Sequence, residues 1–205
     1  ILDSEFSTEI ENKVKSIFWV RDMVNFPALT KSPDFFQHKV EELIEGLDIN
    51  LKSYDQEWIK ENNMGGVIGV SQGSDRPPKF LVGEYNTKAK KQIALIGKGV
   101  LFDSGGLSLK SPAGMETMKT DMAGAATAWG IIALVAKEGL DIGLKVYTPI
   151  VENMPSGSAI RPGDILSMRN GKSIEVMNTD AEGRLIMADA LAYASESKPD
   201  IICDV

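Results

Sequence analysis

Four acids in this chain stand where an apolar segment stops or a helix is about to start: Asp103 in GKGVLFDSGGLSLK, Asp121 in MKTDMAGAATAWG, and Asp180 and Glu182 in NTDAEGRL. Two lysines, Lys98 and Lys110, bracket the first acid, and Arg184 follows the last. In an α/β protein the strand ends are where ligands bind. Carboxylates gathered there repel one another unless something cationic neutralises them. A pair of divalent ions about 3.5 to 4 Å apart does so, and carboxylate oxygens suit hard or borderline ions such as Mg, Mn or Zn. Asp180 and Glu182 are two residues apart, so in an extended segment both would point to one side. Each residue also has a plainer reading. Asp121 can cap a helix, Asp103 can make an Asx turn, Lys98 can snorkel from a strand end, and NTDAEGRL can be a solvated turn. Their joint occurrence favours a convergent cluster.

The glycines around these residues, Gly97, Gly99, Gly105 and Gly106, allow a ligand to approach the backbone closely. A phosphate loop would also use them, but no Gly-Lys here is followed by Ser or Thr, so the Walker spacing is absent.

The elements that must position these groups read as follows. Residues 6–23 carry apolar residues at helical spacing, with Ser7 or Thr8 as N-cap. Pro27 and Pro33 interrupt the chain, and Ser32 or Asp34 caps a second helix running to about Leu47. INLKSY is a strand, and DQEWIKENN a helix ended by Gly65-Gly66. VIGVSQG and KFLVGEY are strands around a turn at Asp75 to Pro78, and TKAKKQ is a solvated loop. From residue 93 the rhythm is α/β: the strand IALIG, a helix over 123–140 with small residues on one face, then the strand GLKVYTPIV. That order implies a parallel crossover. DILSMRNGKSIEVMN holds two strand-like runs joined by Asn170-Gly171, a hairpin signal. RLIMADALAYASES is a helix. The expected class is α/β, with a mixed, largely parallel sheet flanked by helices.

The totals narrow the function classes. The chain has 205 residues, 43% hydrophobic and 25% charged, and a net charge of −7; this composition belongs to a folded globular protein rather than a disordered one. The acidic balance weighs against nucleic acid, whose partners carry a clustered basic footprint. There is one cysteine, so no internal disulfide forms, and a reducing compartment is expected. Cys203 lies among apolar residues (IICDV) and reads as a buried strand residue. The lone His38 sits in a helical pattern, so any metal chemistry proceeds almost without imidazole. No apolar run reaches the length of a membrane span. The chain opens on Ile1 and closes on the strand-like SKPDIICDV, as a fragment of a longer protein would.

Taken together, NTDAEGRL, GKGVLFDSGGLSLK, GMETMKTDMAGAA and ENMPSGSAIRPGDIL, in this order and spacing, resemble the signature blocks of the leucyl (cytosol) aminopeptidase family. RDMVNFP and the MGG, QGS and PP run over 64–78 look like the entry to its catalytic domain, so the resemblance spans nearly the whole chain. It implies a metal-dependent exopeptidase of which residues 1–205 are the N-terminal portion of the catalytic domain, without a preceding domain or the C-terminal remainder. By the resemblance, Lys98, Asp103, Asp121, Asp180 and Glu182 are the ligands of two divalent ions, Mn or Zn. Lys98 serves as a neutral amine and Glu182 bridges the ions. Lys110 and Arg184 are catalytic: Lys110 polarises the peptide carbonyl, and Arg184 holds a bicarbonate that acts as general base. Lys110, Met118 and Asp121 touch the substrate, Met118 lining the pocket for the first side chain. A cytoplasmic homohexamer acting on peptides with a free N-terminus is implied as well. The competing reading is a non-catalytic DNA-binding or assembly protein on the same fold, and the intact set of site residues speaks against it.

Overall fold

The computed structural model describes residues 4–205, and side chains from residue 7 onward. Long helix α1 (Ser4–Asn25) is followed by α2 (Pro33–Ile44), β1 (Ile49–Tyr54), α3 (Gln56–Glu61) and α4 (Gly65–Ser71). Next come β2 (Lys79–Tyr85), β3 (Gln92–Ile96), β4 (Gly99–Asp103) and the short α5 (Pro112–Met115). A 3-10 turn at Met118–Thr120 leads into α6 (Ala123–Lys137) and β5 (Gly143–Asn153). The hairpin β6 (Ile165–Ser167) and β7 (Ser173–Glu175), a 3-10 turn at Thr179–Ala181, α7 (Glu182–Glu196) and β8 (Ile201–Asp204) complete the described chain.

The main sheet has the order β1-β2-β5-β3-β8, with β4 also paired to β5. The pairs β1/β2 and β2/β5 are antiparallel, while β3/β5, β4/β5 and β3/β8 are parallel. This is the expected mixed, largely parallel sheet. Strand β5 organises it. Its first half pairs with β3 (Gly143 to Tyr147) and its second half with β4 (Ile150 to Asn153), along one edge. The chain therefore steps off that edge between β3 and β4, at Gly97-Lys98, and returns.

Alternation along β5 supplies both sides of the sheet. Leu144, Val146 and Ile150 face a core with Trp129, Ala125 and Ile132 of α6 and Phe36 and Val40 of α2. Tyr147 and Val151 face the other core with Val67 and Val70 of α4 and Ile186 and Ala190 of α7. Trp129 is fully buried, and its indole Nε1 donates to Thr148 Oγ1 at 3.0 Å. The small residues of α6 let it lie against the strand break: a Cβ on Gly97 would sit 2.6 Å from Ala125 Cα.

Several boundaries differ from the sequence reading. Ser7 and Thr8 lie inside α1 rather than capping it, because nothing in Ser4–Phe6 stops a helix. Ser32 does cap α2, accepting from Phe35 N at 3.1 Å, and α2 ends at Ile44, before a positive-φ Gly46. Helix α3 ends earlier than expected, near Asn63 at φ 55°, and Gly65-Gly66 opens α4 instead.

The VIGVSQG stretch, expected as a strand, is helix α4. Its β-branched residues misled; tertiary contacts decide. The buried Asp189 carboxylate of α7 accepts from Gly66 N at 2.7 Å and Val67 N at 3.1 Å, satisfying the first free amides of a helix. Side chains at Gly65 and Gly66 would strike the carbonyls of Ser167 and Leu185.

Cys203, expected to be buried, is exposed. Strand β8 pairs only with β3 among the described residues, and Ile201 and Ile202 are likewise open. The Asn170-Gly171 hairpin is present, with Gly171 at φ 78°.

Candidate metal centre

Three of the four acids, Asp103, Asp121 and Glu182, converge as the strand-end argument requires. Asp103 is the last residue of β4, Asp121 lies between the Met118–Thr120 turn and α6, and Glu182 is the first residue of α7. One carboxylate oxygen from each lies within 4.8 Å of the other two. Asp121 is not a helix cap: Met122 holds that position, without a side-chain bond. Both of its oxygens instead accept from Lys98 Nζ at 2.7 Å.

Lys98 reaches this point because the chain leaves the β5 edge there. Its Nζ also lies 2.8 Å from Glu182 Oε1. It passes directly over Gly183, where a Cβ would lie 2.4 Å from Lys98 Cε, so a side chain at that position would displace Lys98. Burial works against the Lys98 charge, but the hydrogen bonds to Asp121 and Glu182 outweigh it and hold its pKa above the usual lysine value. Burial pushes the Asp121 carboxyl up to about 6, against the opposing effect of Lys98.

Lys110 makes a second such bridge, with Nζ at 3.0 Å from Asp103 Oδ2 and 2.5 Å from Asp180 Oδ1. The Asp180 contact is ionic rather than a well-aligned hydrogen bond, since Oδ1 is buried with no directed donor. Here too burial lowers the lysine pKa, and Asp180 and Asp103 more than reverse it.

The segment carrying Asp180 and Glu182 is not extended, as the sequence reading had it. Asn178 Oδ1 accepts from Asp180 N at 2.8 Å and starts a 3-10 turn that runs into α7. Glu182 joins the converging acids and meets Lys98, while Asp180 stands outside that trio, tied to Asp103 through Lys110.

Three residues that the sequence reading passed over hold these acids in place. Asn153, buried at the end of β5, donates from Nδ2 to Asp103 Oδ1 at 2.8 Å and to Thr179 O at 3.0 Å. Thr179, fully buried, donates from Oγ1 to Gly105 O at 2.6 Å and accepts there from Ser108 N at 2.8 Å. Ser108 Oγ accepts from Thr179 N at 3.2 Å. The signal for Asn153 was the one that exposed Asp103, a polar residue ending an apolar strand.

Arg184 and Met118 sit differently. Arg184 is exposed at the start of α7, on the rim of an open cavity of about 520 Å3 that also touches Lys98, Asp180 and Glu182. Met118 is half-buried in the turn before Asp121.

The donor set fits divalent cations. Carboxylates from three separate segments converge, and Glu182 Oε2 is buried with no hydrogen-bond donor. Such an orphaned charged atom is costly unless a cation meets it.

Comparison with known proteins agrees. The profile of the "Cytosol aminopeptidase family, catalytic domain" matches residues 18–205. A "Probable cytosol aminopeptidase" of Leifsonia xyli is 46% identical over 187 residues, which cover 91% of this chain and 38% of that protein. The leucine aminopeptidase of Caenorhabditis elegans superposes with a TM-score of 0.95 at 33% identity, over 99% of this chain and 42% of that one. The bottromycin maturation enzyme BotP, solved in complex with Mn, superposes at 0.92 and 33% identity, over 99% and 46%. The chain thus spans about two fifths of the length of these relatives. It belongs to the cytosol aminopeptidase family, whose catalytic domain its residues 18–205 match.

Proposed function

We propose that the protein is a metal-dependent aminopeptidase that releases the N-terminal residue, leucine among others, from peptides, and that residues 1–205 form the N-terminal portion of its catalytic domain. The convergence of Asp103, Asp121 and Glu182, with an unpartnered buried oxygen on Glu182, carries this reading. The manganese bound to BotP supports it.

Lys98, Asp103, Asp121, Asp180 and Glu182 are the residues that would hold two divalent ions, Mn or Zn. When bound, such ions supply Lewis acidity and bring the pKa of water toward 7. Glu182, buried with an oxygen to spare, would be central to holding them. Lys98 can join the set only as a neutral amine, so its proton must leave as a cation arrives. Lys110, released from part of its pairing with Asp103 and Asp180, keeps an ammonium beside the cluster. From there it stabilises negative charge developing on the peptide carbonyl oxygen. The planar fork of Arg184, unencumbered by any ion pair among the described residues, suits a bicarbonate that accepts the proton of the attacking water. Met118, in the turn just before Asp121, would line the pocket for the first side chain of the substrate.

The wider setting follows the family: a cytoplasmic homohexamer acting on peptides with free N-termini. No helix among the described residues is long and apolar enough to cross a membrane.

The test is metal content and leucine-anilide hydrolysis of the full-length protein, wild type beside Glu182→Ala. Wild type should carry about two ions per subunit, and the variant should lose both metal and activity. A variant that retains both would overturn the ligand assignment.

A further inference from the structure

Lys31 is among the largest fully buried side chains, at 0% exposure, and it forms no ion pair with a carboxylate among the described residues. A lysine rarely goes inside unless it is paired. Its Nζ is gathered instead by two backbone carbonyls, Met23 O at 3.0 Å near the end of α1 and Lys119 O at 2.6 Å in the 3-10 turn. The second carbonyl belongs to the turn that carries Met118 and leads into Asp121. A further bond runs the same way, from Lys119 Nζ to Asn25 O at 2.9 Å.

The loop containing Lys31 is itself anchored. Arg76 donates to Ala28 O at 3.1 Å and Leu29 O at 2.9 Å, and pairs with the buried Glu152 at 2.8 Å. Glu152 precedes Asn153, which holds Asp103. One strap, residues 27–32, is thus tied to the turn before Asp121 and, through Arg76 and Glu152, to the end of the strand whose Asn153 bonds Asp103. Burial and the nearby Lys119 charge push the Lys31 pKa down to about 8, which is the cost of placing an ammonium here.

We propose that Lys31 is a positioning residue: its ammonium is an internal cation that pins the Lys119 carbonyl, and with it the turn bearing Met118 and Asp121, to the end of α1. The proposal deepens the metallo-aminopeptidase reading and rests on it for its consequence at the centre. The N–H donors of the ammonium give these two contacts direction and its charge strengthens them, so the turn is held in shape from within the fold.

The experiment uses the full-length protein and two readouts, amide hydrogen exchange of residues 116–122 without added metal and manganese affinity. In Lys31→Met, which keeps the stem and removes the charge, exchange there should accelerate at least about tenfold relative to the rest of the domain. Manganese affinity should fall at least about threefold, less than the ten- to hundredfold typical of a group bonded directly to a ligand. Lys31→Gln, which keeps a neutral donor, carries the same measurements should Lys31→Met not accumulate folded. In Lys31→Ala, ethylammonium should restore both readouts. Exchange and affinity within twofold of wild type overturn the proposal, and so does a defect that ethylammonium leaves untouched, since it shows packing alone. If wild type itself binds no manganese, the metal reading falls, while exchange at 116–122 still decides the role of Lys31.

Discussion

Asn153 Nδ2 donates to Asp103 Oδ1 at 2.8 Å, from the strand paired beside the one that ends in the carboxylate. The two residues are register partners, so the bond fixes the direction in which Asp103 presents its other oxygen. Asn153→Ala should reduce manganese affinity of the full-length protein by about ten- to a hundredfold, as removal of an outer-shell hydrogen bond typically does. A metal titration giving affinity within twofold of wild type would remove Asn153 from the site.

Gly183 separates metal binding from folding. A Cβ there meets only the far end of Lys98, a flexible side chain that can swing away. Gly183→Ala should therefore leave stability to denaturant within about 1 kcal/mol of wild type, alanine being a better helix former than glycine. Manganese affinity should drop at least about tenfold, because Lys98 is displaced. Equal affinity in the two proteins would show that Lys98 is not needed in its present position.

The buried Lys31 makes a pH prediction of definite sign. Its pKa is about 8 folded, against 10.5 as the reference for the unfolded chain. Between these values the unfolded chain binds more protons, so stability rises with pH across that window. Wild type should gain stability relative to Lys31→Met as pH is raised from about 8 to about 10. Urea melts of both proteins at several pH values measure this, and a difference that is flat or falls with pH contradicts it.

Asp189 holds together three backbone donors, Gly66, Val67 and Arg169, the last at 2.9 Å. Burial raises its pKa in spite of these bonds. Asp189→Asn keeps the shape but turns an NH2 toward one set of donors. That mismatch should cost about 1–3 kcal/mol, the penalty for leaving a buried donor unsatisfied. Denaturant midpoints check the loss, and amides of α4 should show it first in hydrogen exchange.

The charges of the centre were legible because Asp103, Asp121 and Glu182 interrupt apolar strand ends and helix starts, and local pattern exposes such interruptions. What escaped was decided by distant contacts. VIGVS has the residues of a strand and becomes α4 because the Asp189 carboxylate caps it and two carbonyls leave room only for glycine. Cys203 has the neighbours of a core residue, yet lies on a strand open along one side. The turn at Thr179–Ala181 depends on one side-chain cap at Asn178, and period-two reasoning cannot see it. The acids were readable, while Asn153 and Thr179, which bond the segments that carry them, and the buried Lys31 became visible only with the sheet in place.

The reciprocal bonds between Ser108 and Thr179 join a loop after β4 to a turn that the chain reaches only once α6, β5 and the hairpin have been laid down. The cluster thus has no local precursor. On a ribosome, Lys98, Asp103 and Asp121 would emerge long before the residues that complete their site. The cluster can therefore exist only once these distant elements have come together, and any ion it holds would be taken up by a finished fold.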